Sequence, residues 1–253
     1  MLDGSANPLL TQPAVKPLTF LDVALTCGVA AAIALVGLFS LFVAAVWYPD
    51  GPANSQGIQI AVSLLVELAA IFGAVYGVLI YRRGFSWADL GVRPIDRKWM
   101  VPAVLAAFAC LFAAGAISQI TERYFNTPMI DQYETDLIPP GGITWQYAVT
   151  LVATIGILVP IAEELLFRGV LYTWLRQRLS ILPCTLISAT LFALAHGNRQ
   201  MAIQIFVVGI VLAWIYEKSR SILVSGLVHM TVNTFSLAVI FYYAGAGPGV
   251  AAP

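Results

Sequence analysis

The chain alternates long apolar runs with short polar segments, and this pattern predicts its helices. A helix needs about 20 apolar residues to cross the hydrocarbon core of a bilayer. Backbone groups in lipid must pair within their own segment, which favours helices for isolated apolar runs. Seven runs qualify, although the fifth and sixth are short enough for one of them to be re-entrant. The runs cover residues 23–47, 58–81, 99–120, 145–175, 181–196, 201–216 and 222–243.

The composition agrees with a membrane protein. Of the 253 residues, 60% are hydrophobic and 10% are charged, with no net charge. About a quarter of the residues in a soluble domain are charged, so these values exclude a disordered chain and a basic nucleic-acid binder. Membrane lipids, and no nucleic acid, are therefore the expected partners. The three cysteines, Cys27, Cys110 and Cys184, fall in apolar runs, and we interpret them as buried apolar residues rather than as a disulfide or metal framework.

The basic residues predict the orientation in the membrane, because cytoplasmic loops carry an excess of Lys and Arg. With a cytoplasmic N-terminus, ten of the thirteen basic residues lie on the inner side, and only Arg123 and Arg199 lie outside. We therefore predict an integral protein of the plasma membrane, which in bacteria is the inner membrane. The ten inner residues are Lys16, Arg82, Arg83, Arg93, Arg97, Lys98, Arg176, Arg178, Lys218 and Arg220.

The predicted fold class is an all-α, polytopic transmembrane helix bundle with about seven spans, or eight. We expect a cytoplasmic N-terminal tail at residues 1–19, followed by helices and loops at 20–144. Residues 145–243 form a core that holds most of the unusual polar residues, and 244–253 form a C-terminal tail.

A few polar side chains interrupt the apolar runs. A charged group near the membrane centre costs at least about 2.5–3.5 kcal/mol on insertion scales, so each one needs a partner or a function. Glu67 stands alone in the second run, and we interpret it as a hydrogen bond between helices. The other such residues are Glu163, Glu164, Arg168, His196, His229 and Asn233.

The spacing of the charges in the fourth run predicts different roles for two adjacent glutamates. Glu164 and Arg168 are four residues apart on one helix face, so we expect a bidentate ion pair between them. Adjacent helical residues point about 100° apart, so Glu163 and Glu164 should not share a partner. Glu163 then remains available as a general base. The alternative is a buried ion-pair network that only fixes helix packing.

Three helices bring polar groups to a similar depth in the membrane. At about 1.5 Å per residue, Glu163 and His196 each lie roughly 20 Å from the inner ends of their helices. His229 and Asn233 follow at roughly 14 and 20 Å, and their spacing of four residues places both on one face. Phe192, four residues before His196, is a candidate wall residue. These residues predict a site inside the membrane.

The residue types suit the hydrolysis of an acyl bond. Glu163 can take a proton from a water molecule that His196 helps to hold. His229 and Asn233 can donate hydrogen bonds to the oxyanion of the intermediate. The alternative is a zinc ion bound by Glu163, His196 and His229. Because the chain has no HExxH motif, we favour a reaction without a cofactor.

The same residues resemble the three motifs of the CPBP family of intramembrane endopeptidases. This family includes the type II CAAX prenyl protease and bacterial bacteriocin-processing proteins, formerly called the Abi family. The resemblance covers residues 149–241, and the enzyme that cleaves CAAX proteins has eight spans. The motifs read E-E-x-x-x-R at 163–168, F-x-x-x-H at 192–196 and H-x-x-x-N at 229–233.

The resemblance implies the same assignment of roles, with Glu163 as the base, His196 as its partner and an oxyanion site formed by His229 and Asn233. It implies supporting roles for the other motif residues. Members are often labelled metalloproteases, although a glutamate mechanism without a metal has also been argued for them. The supporting residues are Glu164, Arg168 and Phe192.

We therefore predict an intramembrane endopeptidase that cleaves a membrane-associated peptide or protein near the cytoplasmic side of the membrane. Two alternatives remain at the level of the sequence. One is a proton-coupled transporter that uses Glu67, Glu163 and the two histidines as a relay. The other is a membrane scaffold or immunity protein that has the same fold and no activity.

Overall fold

The computed structural model describes residues 16–47, 56–125, 137–138 and 142–246, and this part of the chain is built from helices joined by turns. Six of its helices are long and apolar enough to cross a membrane, and a shorter apolar helix, Ile181–Ala195, is the seventh. The predicted bundle of about seven spans is confirmed. Most of the two predicted tails and of the polar loop that precedes the fourth span, including Pro139 and Pro140, lies outside the described residues.

The described helices follow the predicted apolar runs to within a few residues. We number them α1 to α7 in chain order and treat the second and fourth as continuous through their changes of winding. They are α1 (Phe20–Trp47), α2 (Gln56–Ala74, continued by Val75–Arg82), α3 (Met100–Phe125), α4 (Trp145–Arg176), α5 (Ile181–Ala195), α6 (Ala202–Ser219) and α7 (Ile222–Ala246).

Helix α4 changes its winding on both sides of the adjacent glutamates. An α-helical turn, Val159–Glu164, lies between two π-helical segments, Val152–Leu158 and Leu165–Tyr172. π-Helical turns are rare and occur frequently at functional sites. The backbone of α4 alone therefore indicates that Val159–Glu164 belongs to a functional site.

Pro160 leaves a gap in the hydrogen bonding of α4, and α7 fills it. In the turn before it, the Val159 N–H donates to the Thr154 carbonyl, five residues back. The next bond of this series would reach the Ile155 carbonyl, but proline has no N–H to donate. The side-chain amide of Asn233 donates to that carbonyl instead, at 3.1 Å. This bond fixes α7 against α4 close to the motif glutamates.

The residues predicted to lie in the inner loops are brought together at one end of the bundle, which we call the basic end. Lys16 Nζ donates to the carbonyl oxygens of Arg83 and Gly84 at 3.2 and 2.9 Å. Arg178, which follows α4, donates to the Leu18 carbonyl at 3.0 Å. These bonds join the residues before α1 to the loops that follow α2 and α4.

The loop between α2 and α3 packs into the basic end. The N–H and hydroxyl of Ser86 both donate to the Asp89 carboxylate, at 2.8 and 2.7 Å, and these bonds lower the pKa of Asp89. Leu90 is fully buried, and the Gly91 carbonyl accepts the Ile222 N–H at 2.9 Å. The loop thus closes this end of the bundle and fixes the start of α7.

An apolar core lies directly behind this loop. The core buries side chains from α2, α4, α6 and α7 around Leu90, and Cys184 is fully buried within it. Cys110 is also buried, but Cys27 is exposed on α1. The prediction that all three cysteines are buried is therefore wrong for Cys27, because an apolar side chain on a membrane helix can face lipid.

Candidate active site

A cavity of about 570 Å³ lies between six of the seven helices, with α1 excluded. Apolar side chains form most of its wall, and a small number of polar groups converge on it. All four residues that the sequence predicts as catalytic belong to this set. The polar lining residues are Glu67, Glu163, His196, Gln204, His229, Asn233 and Ser236.

The carboxylate of Glu163 lies between two imidazoles. His196 Nε2 is 3.6 Å from one carboxylate oxygen, and His229 Nε2 is 3.6 Å from the other. His196 Nδ1 is 2.8 Å from the carbonyl oxygen of Phe192, which holds the ring in place from behind. His196 itself caps the C-terminus of α5, and Gly197 with φ 66° then turns the chain away. Local helix termination therefore aims the ring at Glu163.

His229 contacts both motif glutamates. Its Nε2 faces Glu163, and its Nδ1 lies 3.4 Å from an oxygen of Glu164. The expectation that the adjacent glutamates do not share a partner is therefore wrong. The 100° between their directions is correct for the backbone, but the two nitrogens of one imidazole also point in different directions, so a single ring between them reaches both.

The predicted ion pair between Glu164 and Arg168 forms, but with one hydrogen bond rather than two. Arg168 Nη1 donates to Glu164 at 2.7 Å, and both side chains are fully buried. Arg168 Nη2 donates instead to the carbonyl oxygen of Gly209 on α6, at 3.1 Å. The bidentate geometry is wrong because the guanidinium divides its donors between the neighbouring carboxylate and a backbone group on another helix.

Phe192 connects this buried pair to the two histidines. The Arg168 guanidinium lies 4.6 Å from the centre of the Phe192 ring, a cation–π distance. The edges and faces of Phe192 meet His196 and His229 with centroid distances of 4.7 and 5.6 Å. Phe192 is thus a wall residue, as expected, and it also fixes the relative positions of both imidazoles.

Asn233 lies in the cavity wall and has a structural partner. One N–H of its amide is used by the bond to the Ile155 carbonyl. An amide group has two N–H bonds, so the second is the one that remains for a ligand in the cavity. The sequence does not predict the structural bond, because the relation between Pro160 and Asn233 depends on how α4 and α7 pack.

Glu67 was expected to form a hydrogen bond between helices, but it lines the cavity instead. It lies on α2 in the wall of the same cavity and is only partly buried. Among the described residues, no hydrogen bond to its carboxylate is found, so the structure does not support a packing hydrogen bond. The sequence contains a signal for this position. A charge in the middle of an apolar span costs as much free energy of membrane insertion as the charges of the other site residues.

The zinc alternative does not fit the arrangement. In the described part of the chain, no three His, Cys, Asp or Glu side chains are grouped so that they could hold a metal ion. Glu163, His196 and His229 are close to one another, but each histidine faces a different oxygen of the carboxylate.

The cavity occupies the part of the bundle away from the basic end. Its lining residues nearest that end are Ile71, Phe167, Val208 and His229. Each of these residues lies several residues before the basic end of its own helix. The separation is 11 residues in α2 (to Arg82), 9 in α4 (to Arg176), 11 in α6 (to Ser219) and 7 in α7 (to Ile222). A reaction near the cytoplasmic side, as expected from the sequence, conflicts with this geometry if the basic loops are cytoplasmic.

Comparison with known proteins confirms the resemblance that the motifs predict. Residues 144–235 match the model of the family described as type II CAAX prenyl endopeptidase Rce1-like. The matched range contains α4 to α6 and the part of α7 that carries His229 and Asn233. No solved structure matches the chain.

Three curated bacterial relatives are similar over parts of the chain. The UPF0177 protein YxdF of Lactococcus lactis is 33% identical over 34% of this chain and 48% of its own length. An uncharacterized 24.3 kDa protein of Escherichia coli is 28% identical over 69% of this chain and 76% of its own. The Bacillus subtilis protein named "Putative membrane peptidase YdiL" is 28% identical over 53% of each chain. The chain thus spans about half the length of the first and third of these relatives.

Proposed function

We propose, from the match of residues 144–235 to the Rce1-like family, that the protein is an intramembrane endopeptidase. Its substrate is a membrane-associated peptide or protein. The observation that carries the proposal is the Glu163 carboxylate, whose two oxygens face His196 and His229 at 3.6 Å each. These side chains meet in a cavity of about 570 Å³, a volume typical of ligand sites.

Glu163 acts as the general base. In the neutral ring of His196 that donates its Nδ1–H to the Phe192 carbonyl, Nε2 carries no proton and accepts hydrogen bonds. The 3.6 Å between this Nε2 and Glu163 exceeds a direct hydrogen bond, and we place one water molecule within hydrogen-bond reach of both groups. Such a water donates one proton to His196 and the other to Glu163, which leaves a lone pair on its oxygen for the peptide carbonyl.

The water oxygen attacks the peptide carbonyl carbon while Glu163 accepts the proton, and a tetrahedral oxyanion forms. His229 and the free N–H of Asn233 donate to this oxyanion, and each such donor contributes about 3–4 kcal/mol in known cases. Breakdown of the intermediate breaks the C–N bond, and the proton passes from Glu163 to the leaving nitrogen. The products are a new carboxyl terminus and a new amino terminus.

The buried pair positions these groups. His229 places Nδ1 3.4 Å from Glu164 and directs Nε2 toward Glu163 in the cavity. Arg168 compensates the charge of Glu164 at 2.7 Å and supports the Phe192 ring that lies against both histidines. Glu164, Arg168 and Phe192 are therefore positioning residues that do not touch the reacting atoms.

The cavity argues against a proton-coupled transporter. A relay needs titratable groups in succession across the membrane, whereas Glu67, Glu163 and the histidines all line one cavity. Toward the basic end that cavity stops at an apolar core around Leu90. The scaffold alternative makes a different prediction, namely that neither the wild type nor any cavity variant cleaves a peptide.

The test is peptide cleavage by the purified full chain in detergent. Cleavage is compared between the wild type, Glu163→Gln and Glu163→Ala, with Glu122→Gln as the matched control outside the cavity. We expect both Glu163 variants to lose about 10²–10⁴-fold in kcat/KM, while Glu122→Gln keeps the wild-type value. Full activity of Glu163→Gln would exclude the glutamate mechanism, and no cleavage by any form would favour the scaffold.

Chelation tests the absence of a cofactor. Because the proposed steps use only side chains and water, incubation with a strong chelator should leave kcat/KM unchanged. Activity that disappears with the chelator and returns with added zinc would reverse this part of the proposal.

A further inference from the structure

The cavity lining includes His196 and Met201, the first and last residues of the turn between α5 and α6. These helices have 15 and 18 residues, about 22 and 27 Å, which is less than the roughly 30 Å of the hydrocarbon core. Their connecting turn therefore stops short of the far surface of the membrane. It contains Asn198 and the exposed Arg199, and polar groups at that depth need water around them. We therefore expect water above the turn.

The exposure of the site residues gives the side on which the protein covers the cavity least. The side chain of His196, beside the turn, is 28% exposed, and that of Glu163 is 10% exposed. The value falls to 4% for His229 and to zero for Glu164 and Arg168. The exposed fraction of these side chains thus falls from the turn to the buried pair of Glu164 and Arg168.

The opposite direction is closed by packing and by paired charges. Arg176 and Arg220 both bind the carboxylate of Glu217, at 3.1 and 2.8 Å, and the Tyr172 hydroxyl donates to the same group. Leu90 is fully buried against this layer. In the part of the chain that the structure describes, none of the cavity-lining residues belongs to this layer.

The distribution of basic residues indicates which face of the membrane each side of the cavity points to. Ten of the thirteen Lys and Arg residues belong to the loops and helix ends of the closed side. Such an excess marks the cytoplasmic side of a membrane protein. The open side of the cavity is then the extracytoplasmic side.

We propose that the cavity receives its substrate from the extracytoplasmic side of the membrane. The substrate class is a membrane-anchored polypeptide whose cleaved bond is exposed at that face or lies in the outer half of the bilayer. This inference rests on the proposed endopeptidase function, which supplies the reaction, and it replaces the expected cleavage near the cytoplasmic side.

The test is the labelling of single added cysteines in intact cells with a charged, membrane-impermeant thiol reagent. Arg199→Cys probes the turn, Ser236→Cys probes the cavity wall, and Trp87→Cys probes the loop at the closed end, without loss of any of the ten inner charges. The protein with only its native cysteines gives the background. We expect labelling of the first two variants in intact cells, and of Trp87→Cys only after permeabilisation.

Two results would overturn the proposal. Labelling of Trp87→Cys but not of Arg199→Cys in intact cells would reverse the orientation. Labelling of Ser236→Cys only after permeabilisation would show that the cavity opens to the cytoplasm. If Ser236→Cys does not accumulate, Ile240→Cys probes the same wall further along α7, and the same two outcomes apply.

The labelling needs no catalysis, so its failure differs from failure of the proposed function. If wild type and Glu163→Ala are equally inactive on peptides, the endopeptidase is excluded while the labelling still reports the open side. If the wild type cleaves and Ser236→Cys reacts only from the cytoplasm, the function stands and the access route is wrong. In an active Ser236→Cys protein, extracellular labelling should also reduce cleavage at least tenfold, because the reagent fills the cavity.

Discussion

Glu163 and Glu164 are neighbours in the chain, but they belong to regions that treat charge in opposite ways. On the Glu164 side, toward the basic end, the carboxylate is fully buried and bound by Arg168 at 2.7 Å. On the Glu163 side, the carboxylate lines a cavity and faces imidazoles at 3.6 Å without a short ion pair. We call these regions the closed half and the open half.

This contrast separates the polar groups that hold the fold together from those that are available for chemistry. A buried charge without a partner costs several kcal/mol, so the buried charges of the closed half lie beside opposite charges, as Glu164 does beside Arg168. In the open half, water can take the place of a protein partner, and loosely held groups such as Glu163 are permitted. The comparison therefore predicts large effects on stability from the closed half and small ones from the open half.

The largest expected effect on stability is that of Arg168→Met. This substitution leaves Glu164 buried without its cation, and breaking a buried pair in this way costs about 3–5 kcal/mol. The measurement is the free energy of unfolding in detergent. Arg97→Met, at an exposed position before α3, is the control and should lose less than about 1 kcal/mol. Equal losses would show that the pair does not hold the closed half together.

Gly169→Ala tests the packing of the closed half. A Cβ at Gly169 would lie 2.7 Å from the carbonyl oxygen of Leu90, a backbone atom that cannot rotate away. We expect a loss of about 1–3 kcal/mol in the free energy of unfolding, typical of overpacking. Gly226→Ala is the matched control, since nothing lies within 4 Å of its added Cβ, and it should be neutral or stabilising. A tolerated Gly169→Ala would mean that the loop between α2 and α3 is not fixed at this end.

The sequence predicts the helices well, because an apolar run of sufficient length in lipid has to form a helix. Each of the seven apolar runs is a helix, and the order and spacing of the charged motifs identify residues that the fold does bring together, such as Glu163 and His196. Both results depend on local information, namely residue type and distance along one helix. The family match over residues 144–235 has the same basis.

The sequence predicts contacts between helices much less well. Arg168 divides its donors because the Gly209 carbonyl is close, and Gly209 is on another helix. Glu67 lies in the same cavity as the motif residues although it is outside the matched range. Both contacts depend on the rotation and tilt of α2 and α6, and hydropathy specifies neither the rotation nor the tilt of a helix.

Asn233→Ala tests the boundary between the two halves, where one residue has both a structural and a chemical role. Loss of the amide leaves the Ile155 carbonyl without a donor and should cost about 1 kcal/mol in the free energy of unfolding. Pro160→Ala restores an N–H that can reach this carbonyl. In that background, Asn233→Ala should cost measurably less, while cleavage stays low because the oxyanion donor is still missing. Additive effects on stability would show that the two residues are not coupled.

The smallest expected effect is that of Glu67→Gln. The carboxylate is only partly buried and, within the described residues, accepts no hydrogen bond, so replacing it by an amide of the same shape should change the free energy of unfolding by at most about 0.5 kcal/mol. Glu164→Gln makes the same chemical change in the closed half and removes the charge that compensates Arg168, so it should cost several times more. If the two variants were equally destabilised, Glu67 would be a packing residue after all, and the boundary between the halves would not run through the cavity. A stable Glu67→Gln protein places Glu67 on the open side, with Glu163.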